Sequence, residues 1–131
     1  DAVHATGRRT VIVAGIITNV CVVEPALSAL ADGYTVHAVI NASGTYSEAA
    51  QRAAVGRLSR AGVVITDVEG VLSEWQHTWN REDALDWAGL HAAVMPPYAA
   101  LIQSVNRAQA EALGSEDART ELKHARQHTP A

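Results

Sequence analysis

An α/β fold built on a parallel sheet is what this sequence predicts, and three observations carry the prediction. Three short runs rich in β-branched residues, at 11–13, 35–40 and 63–66, are too short for helices and suit strands of a buried parallel sheet. Helical segments separate them, which is the arrangement of βαβ units with right-handed crossovers. From Val68 onward the pattern is wholly helical. The expected architecture is therefore a three-layer, Rossmann-like parallel sheet of about three strands followed by C-terminal helices.

In chain order, residues 1–6 read as the tail of a helix closed by Gly7, and Arg8-Arg9 lead into the first strand. Val11, Ile12 and Val13 form that strand, expected to be buried on both faces, and Gly15 ends it. Thr18 and Asn19 are both able to cap the next helix. They place Cys21 within its first turn, where unpaired backbone N–H groups and the positive end of the helix dipole favour a thiolate. Two readings of Cys21 stand at this point. It is either a reactive thiol at the ligand-binding edge of the sheet or a small buried hydrophobe among Val20, Val22 and Val23. Pro25 has no N–H and its ring would clash with the Cys21 carbonyl, so the turn carrying the cysteine should be irregular, with regular helix from about Pro25. That helix directs Ala26, Leu27, Ala29 and Leu30 at the sheet, and Gly33 closes it.

The second unit repeats the plan, with a strand over 35–40, the loop Asn41-Ala42-Ser43-Gly44-Thr45, and a helix opened by a Thr45/Glu48 capping box. Ala50, Ala53, Ala54, Leu58 and Ala61 fall on one helical face, Arg52 and Arg60 face outward, and Gly62 ends the helix before the third strand. Val68, Val71, Leu72, Trp75 and Trp79 then form a stripe at helical spacing, which reads as core or subunit interface. A further helix is expected from Arg81 to Ala93 and another from Pro96-Pro97 through Val105. Residues 1–110 read as one domain and 111–131 as a polar tail, frayed or disordered. His124 and His128 are spaced i, i+4 in that tail, but no carboxylate or cysteine pattern accompanies them, so no metal site is expected.

Composition narrows the functional classes. The 131 residues are 48% hydrophobic and 18% charged with a net charge of −4, and no basic cluster exceeds Arg8-Arg9. That leaves no footprint for nucleic acid or an anionic membrane. One cysteine permits no internal disulfide, and no apolar run approaches the roughly 20 residues of a membrane span, so a cytoplasmic location is expected. The chain starts Asp1-Ala2-Val3-His4 and reaches a central-looking strand almost at once, which reads as a cut end.

The run VIVAGIITNVCVVEPALSALADGYTV, followed by INASGTYSEAAQRAAVGRLSRAGVVIT, resembles the second half of the isochorismatase-like cysteine hydrolases, most closely their YcaC-type branch of oligomeric bacterial hydrolases. The resemblance spans about residues 1–107, and its most specific part is G-I-I-T-x-x-C-V. It implies the isochorismatase-like hydrolase fold, with Cys21 as nucleophile. It implies that the backbone N–H groups of Ile17 and Cys21 form the oxyanion hole, with a cis peptide between Ile16 and Ile17. Thr18 and Asn41 are the candidates for substrate contact. Relatives usually carry aspartate where this chain has Asn41, which keeps an acceptor and loses a charge; its alternative role is a turn residue bonding its own backbone. The family's aspartate base and lysine belong to its N-terminal half. Lys123, the only lysine, matches no family position, and neither do Asp1, Asp32 and Asp67.

Three functions follow as expectations. The first is a cysteine hydrolase that attacks a small amide or related acyl compound through a thioester, with no cofactor and no metal. The second is a truncated, non-catalytic remnant acting as an oligomerisation piece. The third is a redox-sensing thiol. The partners expected are a small-molecule substrate and either further copies of the chain or an N-terminal half of the same domain.

Overall fold

A computed structural model describes residues 2–114. They fall into two units, one ending at Trp79 and one beginning at Asn80. Lys123, His124, His128 and nearly all of the segment expected to be a polar tail lie outside the described residues.

The first unit opens with a short helix, α1 (Ala2–Ala5), followed by Gly7 at a positive φ of 66°. Strands β1 (Thr10–Val13), β2 (Thr35–Val39) and β3 (Val64–Thr66) pair in parallel in the order β1-β2-β3. Helix α2 (Val23–Ala31) connects β1 to β2, and α3 (Glu48–Ala61) connects β2 to β3. Successive strand residues point to opposite faces. Val36 and Ala38 of β2 are buried with Val22, Val23, Ala26, Ala54, Leu58 and Val63, so α2 and α3 cover one face together. The neighbouring positions Val11, Val13 and Ile65 pack against the same core.

The opposite face carries the row Ile12, His37, Val64, which the register aligns across the three strands. Helix α4 (Val68–Gln76) lies on this side, since Glu74 Oε2 comes within 4.0 Å of His37 Nδ1. The three layers expected from the sequence are present. The expectation that β1 is buried on both faces does not hold, because Ile12 is 39% exposed. β1 is an edge strand of this sheet, as β3 is, and α4 reaches the middle of the row without sealing its ends.

Helix boundaries correct the sequence reading at several caps. The second crossover helix begins at Glu48, and its N-cap is Ser47, whose Oγ accepts the Ala50 N–H at 3.2 Å. Thr45 does not cap it, because its hydroxyl donates to Asn19. Asp67 caps α4 through the Gly70 N–H. Gly62, at φ 99°, provides the left-handed C-cap of α3. The apolar stripe expected from Val68 to Trp79 is interrupted: α4 stops at Gln76 and His77 adopts φ 63°. Val68, Val71 and Leu72 are half-buried, whereas Trp75 and Trp79 are exposed.

The second unit contains α5 (Ala84–Val94) and α6 (Pro96–Gly114), joined at Met95. The Pro-Pro start of α6 is as expected, since neither N–H is needed in a first turn. Buried His91 stacks edge-on to Tyr98 and lies close to Trp87, which joins the two helices. Before α5, Arg81 and Asp83 form a two-pronged ion pair, Trp87 Nε1 donates to Asp83 at 3.2 Å, and the Arg81 guanidinium sits over the Trp87 ring. This cluster takes up the residues that periodicity assigns to the helix start, so α5 begins three residues later than expected. Hydrogen bonding from Arg81 holds the Asp83 carboxyl below its ordinary range.

Candidate active site

The β1 strand runs out at Val13, and the chain then crosses the carboxyl edge of the sheet as Ala14-Gly15-Ile16-Ile17. The peptide between Ile16 and Ile17 is cis. Residues Thr18–Val22 form a single π-helical turn, in which the Val23 N–H reaches back to the Thr18 carbonyl. Regular α-helix then starts at Val23, two residues before Pro25. The irregular turn expected from Pro25 is present, and its form follows from the missing N–H: no donor at Pro25 claims the Cys21 carbonyl, and the widened turn accommodates the ring.

Cys21 sits on this turn and is exposed, which removes the reading of it as a buried hydrophobe. Its backbone N–H donates to the Ile17 carbonyl at 2.8 Å, and the Val20 N–H shares that acceptor at 3.1 Å. The Cys21 N–H is thus already engaged in this structure. Around the thiol the chain presents apolar surface, with Ile16, Ile17 and Val20 all exposed.

Thr18 and Asn19 do not cap the helix, for no side-chain cap bond is made at either helical start. Their polar groups reach instead across the sheet edge to the segment after β2. Thr18 is fully buried, and both its N–H and its hydroxyl donate to the Gly44 carbonyl, at 2.9 and 3.1 Å. Asn19 Oδ1 accepts the Thr45 hydroxyl at 3.0 Å. Ser43 completes the seam: its Oγ accepts the Gly15 N–H at 3.2 Å and donates to the Val39 carbonyl at 2.6 Å. Gly44 N–H in turn donates to the Gly15 carbonyl. The sequence reading missed this role for Ser43, Gly44 and Thr45. No local signal points to it, because Asn, Ser and Gly after a strand are also what an ordinary turn contains.

Asn41 stands apart from the seam. Its Oδ1 accepts the Val68 N–H at 2.9 Å, so it braces the first turn of α4 from the end of β2 and does not bond its own backbone. The structure therefore brings Ile17, Thr18 and Cys21 together and leaves Asn41 serving a helix start. Thr45 and Ser43 also line a hollow of about 320 Å³ with Tyr46, Ser47, Glu48 and Gln51. Among the described residues no group of three or more metal-ligating side chains is present. No helix among them is long and apolar enough to cross a membrane.

Residues 1–70 match the family model of the isochorismatase domain. The chain belongs to the isochorismatase family. It is 42% identical over 103 residues to the probable hydrolase YcaC of Escherichia coli, covering 79% of this chain and 49% of that protein. Its fold matches the crystal structure of E. coli YcaC, described as an octameric hydrolase of unknown specificity, with a TM-score of 0.74 and 39% identity over 81% of this chain and 52% of that one. It matches YcaC from Pseudomonas aeruginosa, solved with hexane-2,5-diol and covalent acrylamide, with the same TM-score and 38% identity over 80% and 52%. The chain thus spans about half the length of these isochorismatase-family relatives.

Proposed function

We propose that this chain is part of an isochorismatase-family cysteine hydrolase in which Cys21 attacks the carbonyl carbon of a small amide or related acyl compound. The observation that carries the reading is an exposed thiol, the only cysteine of the chain, on an irregular turn at the carboxyl edge of a parallel sheet. The P. aeruginosa relative's covalent acrylamide supports it, because acrylamide is an electrophile to which thiolates add readily.

In this mechanism the sulfur forms a C–S bond as the carbonyl electron pair moves onto oxygen. The Ile17 N–H is the donor that this chain offers the oxyanion, since the Cys21 N–H is held by the Ile17 carbonyl. Collapse expels the amine, which takes a proton, and leaves a thioester. Water then adds to the thioester, releasing the acid and restoring the thiol. Among the described residues no side chain hydrogen-bonds the Cys21 sulfur. The base that takes the thiol proton is accordingly proposed to lie in the part of the relatives' length that this chain does not span. The same holds for the lysine that the resemblance implies.

The exposed Ile12, Val64, Trp75 and Trp79 favour burial against another polypeptide, and E. coli YcaC is octameric. We propose a homo-oligomer, and a cytoplasmic location for it. The test of the catalytic reading is alkylation of the folded protein by iodoacetamide, followed by mass spectrometry, beside hydrolysis of a panel of small amides. Rapid single modification at Cys21 is expected, with hydrolysis near background in this chain alone, rising when the part of the relatives' length that it does not span is supplied and lost again in Cys21→Ser. A thiol that reacts only after denaturation defeats the proposal.

A further inference from the structure

We propose that Thr18 is a positioning residue for the Cys21 thiol, acting through the peptide plane that joins it to Ile17. The N–H of that plane belongs to Thr18 and donates to the Gly44 carbonyl at 2.9 Å, while its C=O belongs to Ile17 and accepts the Cys21 N–H at 2.8 Å. One rigid group is therefore gripped at both ends, by the segment after β2 on one side and by the nucleophile's own backbone on the other. The Thr18 hydroxyl supplies a second donor to Gly44 at 3.1 Å, from a residue with no exposed surface. A buried hydroxyl with a specific acceptor and no access to solvent orients what it touches rather than meeting a substrate.

The rest of the seam limits how far Gly44 itself moves. Its N–H is tied to the Gly15 carbonyl, and its neighbours Ser43 and Thr45 are tied to Gly15 and Asn19. The turn that presents Cys21 is thus fixed by a loop that begins almost twenty residues after it. Because Cys21 is already exposed, loosening the seam gains no access to the sulfur and loses its fixed presentation.

This inference rests on Cys21 being the reactive thiol, and the experiment separates the two. Iodoacetamide alkylation is timed on folded wild type, Thr18→Val and Thr18→Ser, with amide hydrogen exchange on each. Thr18→Val keeps the shape and loses the hydroxyl, and the Cys21 alkylation rate is expected to fall about fivefold to tenfold. The Cys21 amide is expected to exchange faster while core amides such as Val36 and Leu58 keep their protection. Thr18→Ser restores the hydroxyl and is expected to restore the rate. A Thr18→Val protein that alkylates like wild type, or a Thr18→Ser protein as slow as Thr18→Val, overturns the proposal. So does a slowdown accompanied by equal loss of protection at the core amides. If Thr18→Val does not fold, Ser43→Ala takes its place, removing the acceptor of the Gly15 N–H and so one of the two ties that hold Gly44 against Gly15; an unchanged alkylation rate in that variant overturns the proposal equally. An unreactive wild-type thiol instead overturns the catalytic reading itself.

Discussion

Replacing Leu58 by alanine is expected to remove a large share of the first unit's stability. Leu58 is 0% exposed and is the largest fully buried side chain among the described residues, whose buried apolar core otherwise consists of Val, Ala and one Tyr. The substitution deletes Cγ and both Cδ carbons, worth about 2.4 kcal/mol at ~0.8 kcal/mol per buried CH₂. The core valines Val22, Val23, Val36 and Val63 are stiff at χ1 and sit on the turn after β1, at the start of α2, on β2 and just before β3, so they close little of the cavity. Adding the cavity term brings the cost to about 3–4 kcal/mol, within the range for buried Leu→Ala changes. A unit of this size has a total stability of about 4–12 kcal/mol, so the loss moves it toward the unfolding threshold. Urea denaturation followed by circular dichroism, with Leu85→Ala as control, reads the effect. Leu85 is 87% exposed, and its truncation is expected to cost less than about 0.5 kcal/mol. A Leu58→Ala cost below about 1 kcal/mol would refute the packing argument, because it would mean that α3 is not seated on the sheet as described.

Other outcomes follow from the same contacts. Ser47→Ala removes the acceptor for the Ala50 N–H and is expected to cost about 1 kcal/mol, whereas Thr45→Ala leaves the α3 cap intact; denaturation midpoints of the two distinguish them. Asn41→Ala and Asp67→Ala each strip an acceptor from the first turn of α4, and their effects on helix content are expected to be non-additive because they serve the same turn. Asp83 has its folded-state pKa depressed by Arg81, so the stability it confers is present above the ordinary carboxylate range and is lost as pH falls through the depressed folded value. Acid titration of α5 helicity by NMR is expected to show this loss in wild type and not in Asp83→Asn. Trp75→Glu is expected to shift the light-scattering mass downward if the exposed face of α4 is covered by another copy, and an unchanged mass excludes that face from the contact.

The βαβ order was legible because β-branched runs and alanine-rich helical faces are set by local pattern, which the parallel pairing of β1, β2 and β3 then realises. The placement of Cys21 on an irregular turn was legible for a similar reason, since a proline four residues on acts through its own covalent geometry. Contacts between distant segments were not. Thr45 and Ser47 are both plausible caps two residues apart, and what decides between them is that Asn19, from the other crossover, takes the Thr45 hydroxyl. Thr18 and Asn19 looked like caps for the same reason, yet their partners are Gly44 and Thr45. Asn41 read as a turn residue or a pocket residue, and its partner proved to be Val68, which no local pattern names. The tryptophan stripe kept helical spacing in the sequence past the point where His77 turns the backbone away.

The double grip on the Gly44 carbonyl has a consequence for how the chain tolerates changes in length. A residue inserted between Ala42 and Ser43 would shift Ser43, Gly44 and Thr45 together by one position, unseating Thr18 and with it the turn that bears the thiol. The Asp32-Gly33 connection, at the opposite end of the sheet, carries none of these ties, and added residues there leave both partners of each tie in register. Variation in loop length is therefore expected to be free at the amino edge of the sheet and tightly constrained at the carboxyl edge, so that the spacing from β2 to Gly44 is as much a part of the cysteine's site as the residues beside it.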